Sequence, residues 1–166
     1  MWRAAAGKMR LKMNLTRNFT LKELTYSATA VRDGLDNTPS VGIIAELQLT
    51  ANMLQKIRDY LTELRGRDTP MFDISGYRAL KVNRAVGSSD TSDHVKGMAA
   101  DFKAVGLTPY EVCRALAPKM AELGIGQLIN ELTWVHVGRP VPSKAVNRVI
   151  TIDGHGTRPG IVQVRL

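Results

Sequence analysis

A run of apolar residues at helical spacing constrains the fold of this chain more than any other feature. Between Val41 and Leu64 these residues recur at steps of three, four and seven, which places them on one face of a helix. The positions are Ile43, Leu47, Leu54, Ile57, Leu61 and Leu64. The pattern predicts a long amphipathic helix that buries this stripe in a core and ends at Gly66.

Two capping boxes mark the starts of shorter helices. Thr20 with Glu23 predicts a short helix near the beginning of the ordered chain. Thr108 with Glu111 predicts a second one, which a kink at Pro118 should interrupt. Both boxes satisfy backbone N–H groups that the first turn of a helix leaves unpaired.

The strand signals follow the long helix. Segments rich in alternating or β-branched residues predict strands over 71–75, 99–104, 127–130, 134–137, 148–152 and 161–165. Residues 27–40 contain Gly, Asp, Asn and Pro and predict a loop. The fold class is therefore α+β, with N-terminal helices packed on a small antiparallel sheet.

Charge is concentrated at the two ends of the chain. The 166 residues carry a formal charge of +8, with six Lys or Arg before Glu23 and five after Gly138. We predict a flexible basic segment over residues 1–17 and a single domain over 18–166. Such charge favours contact with polyanions, whether nucleic acid, anionic envelope polymers or an anionic membrane face. A specific nucleic-acid partner is not expected, since no binding motif or interleaved aromatic residues accompany the charge, and we expect a monomer.

Targeting signals and the cysteine count limit the expected location of the protein and the kinds of site that it can contain. No apolar run is long enough to span a bilayer, and the charged N-terminal stretch lacks the apolar region of a signal peptide. We expect the protein to be made in the cytoplasm and, if it acts outside, to leave by another route. Cys113 stands alone, which excludes an internal disulfide and a cysteine-rich zinc site.

Three residues have the types and spacing of a metal site. His94 precedes Asp101 by seven positions, and His136 follows 35 positions later. Two histidines and one carboxylate make a plausible catalytic zinc set, because catalytic zinc keeps three protein ligands and leaves a fourth position to water. The structural alternatives are a loop histidine, a capping carboxylate and a half-buried strand histidine. In a strand, His136 shares a face with Trp134 and Gly138, which suits a cleft better than a core.

A resemblance to a known family adds to this pattern. The stretch Ser75-Gly76-Tyr77-Arg78, then Asn83 and Val86-Gly87, then Ser92-x-His94-x-x-Gly97-x-Ala99-x-Asp101, and finally Trp134-x-His136-Val137 follow one another in order. Together they resemble the zinc-dependent D-Ala-D-Ala carboxypeptidase and L-alanyl-D-glutamate endopeptidase family of peptidoglycan peptidases. The Asp36-Asn37-Thr38-Pro39 loop is similar to the phage-type branch of that family.

The resemblance implies roles for individual residues. It implies a catalytic zinc held by His94, Asp101 and His136 on the sheet. Arg78 is similar in place to the family arginine that faces the scissile carbonyl, where a guanidinium would stabilise the oxyanion; its alternative is a structural arginine that ties the turn to the sheet. We expect Ser92, Tyr77 and Trp134 to bind substrate, although Ser92 can equally cap the loop that carries His94.

The sequence offers more than one candidate for the general base. Many relatives carry an acid three residues before the second histidine, and here that position is Thr133. Glu131 is the nearest acid, and a two-residue turn at 132–133 would pair it with Trp134 on the face of His136. Leu-Thr is a poor pair for such a turn. Asp90 and Asp93 are reserve candidates.

These features lead to one preferred function and two alternatives. We expect a zinc metallopeptidase that hydrolyses peptide bonds in peptidoglycan stem peptides, acting as an endopeptidase in a phage or prophage lysin. It would act in the periplasm or cell wall after release, or as a virion-associated protein. A D-Ala-D-Ala carboxypeptidase is the first alternative. A catalytically inactive wall-binding or structural module on the same fold is the second, and Thr133 in place of an acid keeps it open.

Overall fold

The computed structural model describes residues 13–145 and 148–164, and its chain forms two compact units. The first consists of the chain up to Gln55 together with Ser75–Ala100, and the second of Lys56–Ile74 together with the chain from Asp101 on. Helices and a mostly antiparallel sheet make up the described residues, which confirms the α+β class. A single domain over residues 18–166 stays a prediction.

The first unit begins with short helices. Helix α1 spans Leu21–Thr25, and Thr20 and Glu23 form the predicted capping box at its start. Helix α2 spans Ala28–Asp33, inside the segment predicted as a loop. Ser27 caps α2 by accepting from the backbone N–H of Ala30, and the left-handed Gly34 ends it.

The predicted lead-in segment is described only in part. Residues 1–12 of it lie outside the described residues. Leu15 is buried, its backbone N–H donates to the carbonyl oxygen of Phe19 at 2.9 Å, and Asn14 forms a β-bridge with Thr20. Thr16 donates to the side-chain oxygen of Gln55 at 3.0 Å. Residues 14–16 therefore make specific contacts within the first unit.

The long helix α3 spans Val41–Arg65, as the apolar stripe predicts. Four residues of the predicted stripe are fully buried: Leu47, Leu54, Ile57 and Leu61. The two ends of the stripe differ from the prediction, since Ile43 is only partly buried and Leu64, in the last turn of the helix, is exposed. The boundary between the two units falls within this helix. The first unit continues with helix α4, Leu80–Ala85, and a 3-10 segment, Asp93–Lys96.

The strands form one six-stranded sheet in the order β1-β2-β4-β3-β5-β6. Their bounds are Met71–Ser75, Ala99–Ala104, Gln127–Asn130, Val135–Gly138, Arg148–Asp153 and Gly156–Pro159 for β1, β2, β3, β4, β5 and β6. The β3–β4 and β5–β6 pairs are antiparallel, whereas β3 and β5 run parallel. The sheet is thus mostly antiparallel, as predicted, but it contains a parallel pair, β3–β5.

The last strand differs in position from its prediction. It lies at Gly156–Pro159 rather than at 161–165, because a tight turn follows Asp153. The backbone N–H of His155 donates to the Asp153 carboxylate at 2.8 Å and closes this turn. The chain therefore reverses sooner than the apolar pattern indicates.

A broken helix follows β2 in the second unit. Helix α5 spans Pro109–Leu116 behind the predicted Thr108 capping box, a 3-10 turn covers Ala117–Lys119, and helix α6 spans Met120–Leu123. The break falls at Pro118, where a ring without an N–H cannot continue the α-helical ladder. Cys113 is buried on α5, and burial raises its thiol pKa to about 12. In the described part of the chain no helix is long and apolar enough to cross a membrane.

The close packing around Gly76 allows a prediction about the stability of the fold. A Cβ atom added at Gly76 would lie 2.6 Å from the carbonyl oxygen of Leu24 and 3.2 Å from its Cα, so backbone would have to move. We expect Gly76→Ala to lower the free energy of unfolding by about 1–3 kcal/mol. Gly42→Ala is the matched control, since only the Ser40 hydroxyl oxygen lies near, at 3.9 Å, and helical Ala is neutral or favourable there.

Denaturant unfolding of both variants measures the difference. Equal stability of Gly76→Ala and Gly42→Ala would contradict the close approach between Gly76 and Leu24.

Candidate metal centre

His94 is carried by the 3-10 segment Asp93–Lys96. The hydroxyl of Ser92 accepts from the backbone N–H of His94 at 3.4 Å, and the left-handed Gly97 ends the segment. A Cβ atom at Gly97 would lie 3.3 Å from Cγ2 of Ile43, so a residue without a side chain suits this turn on both counts. The short motif therefore fixes where the histidine backbone sits.

The His94 ring is buried and held on one side. Its relative exposure is 2%, and Nδ1 lies 2.6 Å from the carbonyl oxygen of Gly76. Because a carbonyl oxygen only accepts, Nδ1 carries the proton in this contact and Nε2 carries the lone pair. A backbone carbonyl behind one ring nitrogen is the usual support of a histidine that binds metal through the other.

Asp101 and His136 lie in the second unit on neighbouring strands. Asp101 is the third residue of β2 and His136 the second of β4. The Nδ1 atom of His136 lies 2.8 Å from Oδ1 of Asp101, and the two side chains are 12% and 15% exposed. Rigid strands hold both groups, so the pair needs little reorganisation to share a cation.

These three residues form a group that can hold a metal ion. One ligand atom from each of His94, Asp101 and His136 lies within 4.8 Å of the other two. Two imidazoles and one carboxylate are the donor set of a catalytic zinc site, with a coordination position left over. The donor chemistry therefore fits zinc, as the sequence pattern predicted.

Gln127 lies beside the outer nitrogen of His136, and Arg148 lies beside Gln127. Gln127 and Arg148 are partners in the parallel β3–β5 register, and Gln127 lies diagonally from His136 across β3 and β4. With its amide oxygen toward Arg148, Gln127 accepts from Nη2 at 2.5 Å and from Nε at 3.2 Å, and its amide nitrogen donates to Nε2 of His136 at 3.3 Å. Sequence analysis did not single out either residue, because the contact depends on strand register.

Glu131 directly follows strand β3. Its backbone N–H donates to the carbonyl oxygen of Trp134 at 3.1 Å, which is the pairing predicted for a turn at 132–133. Burial raises the pKa of the Glu131 carboxyl, while His136 lowers it and Asp101 raises it by smaller amounts. Burial is thus the main reason that the Glu131 carboxyl holds a proton more readily than an exposed glutamate does.

The turn that presents Glu131 has an unusual backbone. Leu132 has φ of +63°, in the left-handed region that bulky residues seldom adopt. Thr133 donates its backbone N–H to the carbonyl oxygen of Glu131 at 2.8 Å, and Leu132 donates to the side-chain oxygen of Asn130 at 3.2 Å. The turn is therefore a strained γ-turn rather than a relaxed two-residue hairpin turn.

Arg78 is fixed through both its backbone and its side chain. Its backbone N–H donates to the carbonyl oxygen of His94 at 3.1 Å, and its Nε donates to Oδ1 of Asn83 at 3.2 Å. Asn83 is fully buried and donates in turn to the carbonyl oxygen of Ser89 at 2.8 Å. These contacts link the predicted arginine to the segment that carries His94.

Asn37 holds the chain on both sides of Arg78. Its amide nitrogen donates to the carbonyl oxygens of Thr25 at 2.8 Å and Tyr77 at 3.1 Å, and its amide oxygen accepts from the N–H of Ala79 at 2.7 Å. The resemblance includes the loop around Asn37 without indicating this contact. The spacing of 40 residues between Asn37 and Tyr77 hides it from local sequence patterns.

The expected substrate-binding residues have different settings. Ser92 caps the His94 segment, which is the structural alternative stated for it. Tyr77 donates its backbone N–H to Leu24 at 2.7 Å, and burial, followed by the charge of Asp36, raises its phenolic pKa. Trp134 is 39% exposed beside the Glu131 turn. Exposure leaves the Trp134 ring accessible to a ligand.

The reserve acids have partners of their own. Asp90 accepts from Nη2 of Arg84 at 2.6 Å, which lowers the Asp90 pKa. Asp93 is buried and lies 4.0 Å from Nζ of Lys96. A carboxylate tied to arginine is a weaker proton acceptor than one whose pKa is raised by burial, so Glu131 is a better candidate base than Asp90.

The fold and donor set define a class, and comparison with known proteins defines the family. An α+β chain with a two-histidine, one-carboxylate group has the build of a metal-dependent hydrolase. The family profile for Peptidase M15 matches residues 17–138, so the chain belongs to the Peptidase M15 family, the metallopeptidases of the zinc D-Ala-D-Ala carboxypeptidase type. No curated protein and no solved structure gave a match.

The metal group makes a binding prediction. We expect zinc at about 100 times its dissociation constant to raise the free energy of unfolding by about 2.7 kcal/mol, since a ligand that binds only the folded state stabilises it. Asp101→Asn keeps the shape of the side chain but removes the anionic ligand, and this zinc-dependent rise should disappear. Thermal unfolding with and without zinc measures both.

Asp73→Asn is the matched control, because Asp73 is an exposed strand residue paired with Lys103 at 3.0 Å. It should keep the full zinc response. An Asp101→Asn variant that responds to zinc like the wild type would exclude Asp101 as a ligand.

Proposed function

We propose that this chain is a zinc metallopeptidase that cleaves peptide bonds in peptidoglycan stem peptides. The observation that carries the proposal is the donor group of His94, Asp101 and His136 within a chain that matches the Peptidase M15 family. Zinc dependence and a peptidoglycan substrate are properties of that family that the donor chemistry supports.

The three ligands have complementary tasks in this proposal. His94 would bind through Nε2, since Gly76 occupies Nδ1, and Asp101 would supply the negative charge of the set. When bound, zinc lowers the pKa of water from 15.7 to about 7 and polarises a carbonyl oxygen. The protein's share of the chemistry is then to move protons and to stabilise charge on the substrate.

Glu131 is the proposed general base and acid. A half-buried carboxylate with a raised pKa can accept a proton from water and return it to the leaving amine, because its pKa lies closer to neutral pH than that of an exposed glutamate. The strained turn at Leu132 and the backbone contact to Trp134 hold its backbone in place. These features support Glu131 in place of the acid that Thr133 replaces.

Arg78 is the proposed oxyanion stabiliser. A guanidinium aimed at the developing charge helps only if it does not have to reorganise during the reaction. The contacts of Arg78 with His94 and Asn83, and those of Asn37 with Tyr77 and Ala79, supply that rigidity. Ser92, Tyr77 and Trp134 are the proposed substrate contacts.

We propose an endopeptidase role, as in a phage or prophage lysin. Cutting within the stem peptides opens the cross-linked mesh, whereas removal of a terminal D-Ala does not. The net charge of +8 favours association with an anionic envelope, where the substrate lies. Carboxypeptidase activity and an inactive wall-binding module are the alternatives that experiment must separate.

The role of Glu131 can be tested by an isosteric change. We expect Glu131→Gln to lower the rate of peptide cleavage by a factor of about 100 to 10,000, the usual share of general acid–base catalysis. Zinc affinity should change little, since Glu131 is not one of the three ligands. Glu122→Gln is the control, because Glu122 is an exposed helix residue paired with Lys119 at 2.9 Å.

Rates on purified peptidoglycan and zinc titrations provide the two readouts. If Glu131→Gln cleaved peptidoglycan at the wild-type rate, Glu131 could not be the general base. Loss of cleavage in Glu122→Gln would show that the assay reports protein stability instead.

Mass analysis of the products tests the reaction itself. We expect purified peptidoglycan to release fragments cut within the stem peptide when zinc is present, and no fragments from Asp101→Asn. Release of free D-Ala alone would favour the carboxypeptidase. Binding without any release by the zinc-loaded wild type would favour the inactive module and overturn the proposal.

A further inference from the structure

Arg148 is an exposed cation on the same face of the sheet as the candidate ligand His136. The strand register places His136 opposite Ile129, and Ile129 opposite Ile150, in one row across β4, β3 and β5. Because side chains two positions apart along a strand lie on the same face, Arg148 shares this face with Ile150 and His136. The cation therefore lies two residues to one side of a row that contains a metal ligand.

The backbone of Arg148 is held from both sides. Strand β5 is an inner strand of the sheet, between β3 and β6. The backbone N–H of Arg148 donates to the carbonyl oxygen of Gly126 at 3.1 Å, and the carbonyl oxygen of Val149 accepts from the N–H of Gly160 at 2.9 Å. A side chain on such a strand starts from a fixed Cα atom, so its charged end can meet a ligand with little reorganisation of the backbone.

The charge of Arg148 has no acidic partner in residues 13–145 and 148–164, the part of the chain that the structure describes. Other arginines of the second unit do have one. Arg58 lies 3.0 Å from Asp68. Arg158 lies 2.6 Å from Asp153. A guanidinium without a carboxylate partner, on a face that carries a metal ligand, favours an anionic group on the molecule that binds there.

The proposed base lies on the opposite side of the same row. Glu131 directly follows β3, whereas Gln127, the cross-strand partner of Arg148, is the first residue of β3. Ile129, which faces His136, lies between them. A strand rises about 3.3 Å per residue, so the Cα atom of Arg148 lies about 7 Å along the sheet from the row. An extended peptide advances at about the same rate, so Arg148 can reach a residue about two positions from the bond that is cut.

We propose that Arg148 is a substrate-binding residue that selects peptides with a free carboxylate close to the scissile bond. The planar guanidinium binds a carboxylate through two parallel hydrogen bonds, which fixes its orientation as well as its affinity. Stem peptides contain D-glutamate and end in D-alanine, so the carboxylate can come from the glutamate or from the chain end. This inference rests on the proposed function and adds the group of the substrate that the site recognises.

Strand β5 lies beyond the residues that match the family profile. The match covers residues 17–138, and β5 spans Arg148–Asp153. The candidate ligands all lie inside the matched residues, whereas Arg148 does not. The selectivity that we propose is therefore encoded outside the matched part of the chain.

Amidation of the substrate carboxylates tests the proposal. Three synthetic stem peptides are compared: one with both carboxylates free, one with the glutamate carboxylate amidated, and one with the C-terminal carboxylate amidated. We expect the zinc-loaded wild type to prefer the free peptide over one of the amidated peptides by about 10-fold in kcat/KM, the factor of one charge-assisted contact at an exposed site. The amidation that lowers kcat/KM identifies the source of the carboxylate. The change should appear mainly in KM, because Arg148 lies away from the reacting atoms.

Arg148→Gln removes the charge and should remove the preference between the free and the amidated peptide. Comparing peptides within one variant cancels any difference in its stability. Arg114→Gln is the matched control, since Arg114 is an exposed arginine of α5 in the same unit and its replacement removes the same charge. This control should keep the wild-type preference.

The outcomes separate this inference from the proposed function. A wild type without any preference, or an Arg148→Gln variant that keeps it, would overturn the inference. Equal loss of the preference in Arg114→Gln would also overturn it, because net charge alone would then explain the effect. A wild type that cleaves none of the peptides would overturn the proposed function instead. Calorimetric binding of the same three peptides to the uncleaving wild type and to Arg148→Gln would then still decide whether Arg148 selects the free carboxylate.

Discussion

Several contacts of the first unit depend on the hydrogen bond between Nδ1 of His94 and the carbonyl oxygen of Gly76. A fully buried imidazole must have its N–H satisfied, and here a carbonyl 2.6 Å away satisfies it. That carbonyl is in place because Gly76 lacks a side chain and passes against Leu24, whose oxygen also accepts from Tyr77 at 2.7 Å. These contacts connect the C-terminal end of α1 and the residue that follows β1 to His94, the candidate metal ligand.

Features encoded within a few residues were predicted correctly. The capping boxes at Thr20 and Thr108, the stripe of α3 and the break at Pro118 all depend on neighbours three or four positions away. The metal group was also predicted, because His94 and Asp101 belong to one short motif and His136 completes a set of two histidines and one carboxylate, which the structure brings together. In these cases local chemistry and tertiary structure require the same residues.

The errors and omissions have a different origin. Helix α2 was predicted as a loop because, among its residues, only Ala30 is buried, so no apolar stripe announces it despite the Ser27 cap and Gly34. The contacts of Asn37 with Tyr77 and of Gln127 with His136 join segments far apart in sequence or depend on strand register. Such contacts leave no periodic signal, and the parallel β3–β5 pair is invisible for the same reason.

The backbone at Leu132 has a consequence for how this chain can evolve. A leucine at φ of +63° destabilises the folded state by roughly 1–3 kcal/mol relative to a residue that adopts this conformation freely. Glycine would relieve that strain, yet it would also widen the range of conformations open to the turn that carries Glu131. Selection for thermal stability and selection for a fixed Glu131, the proposed base, would therefore act on this one position in opposite directions, as stability and activity often do at reactive sites.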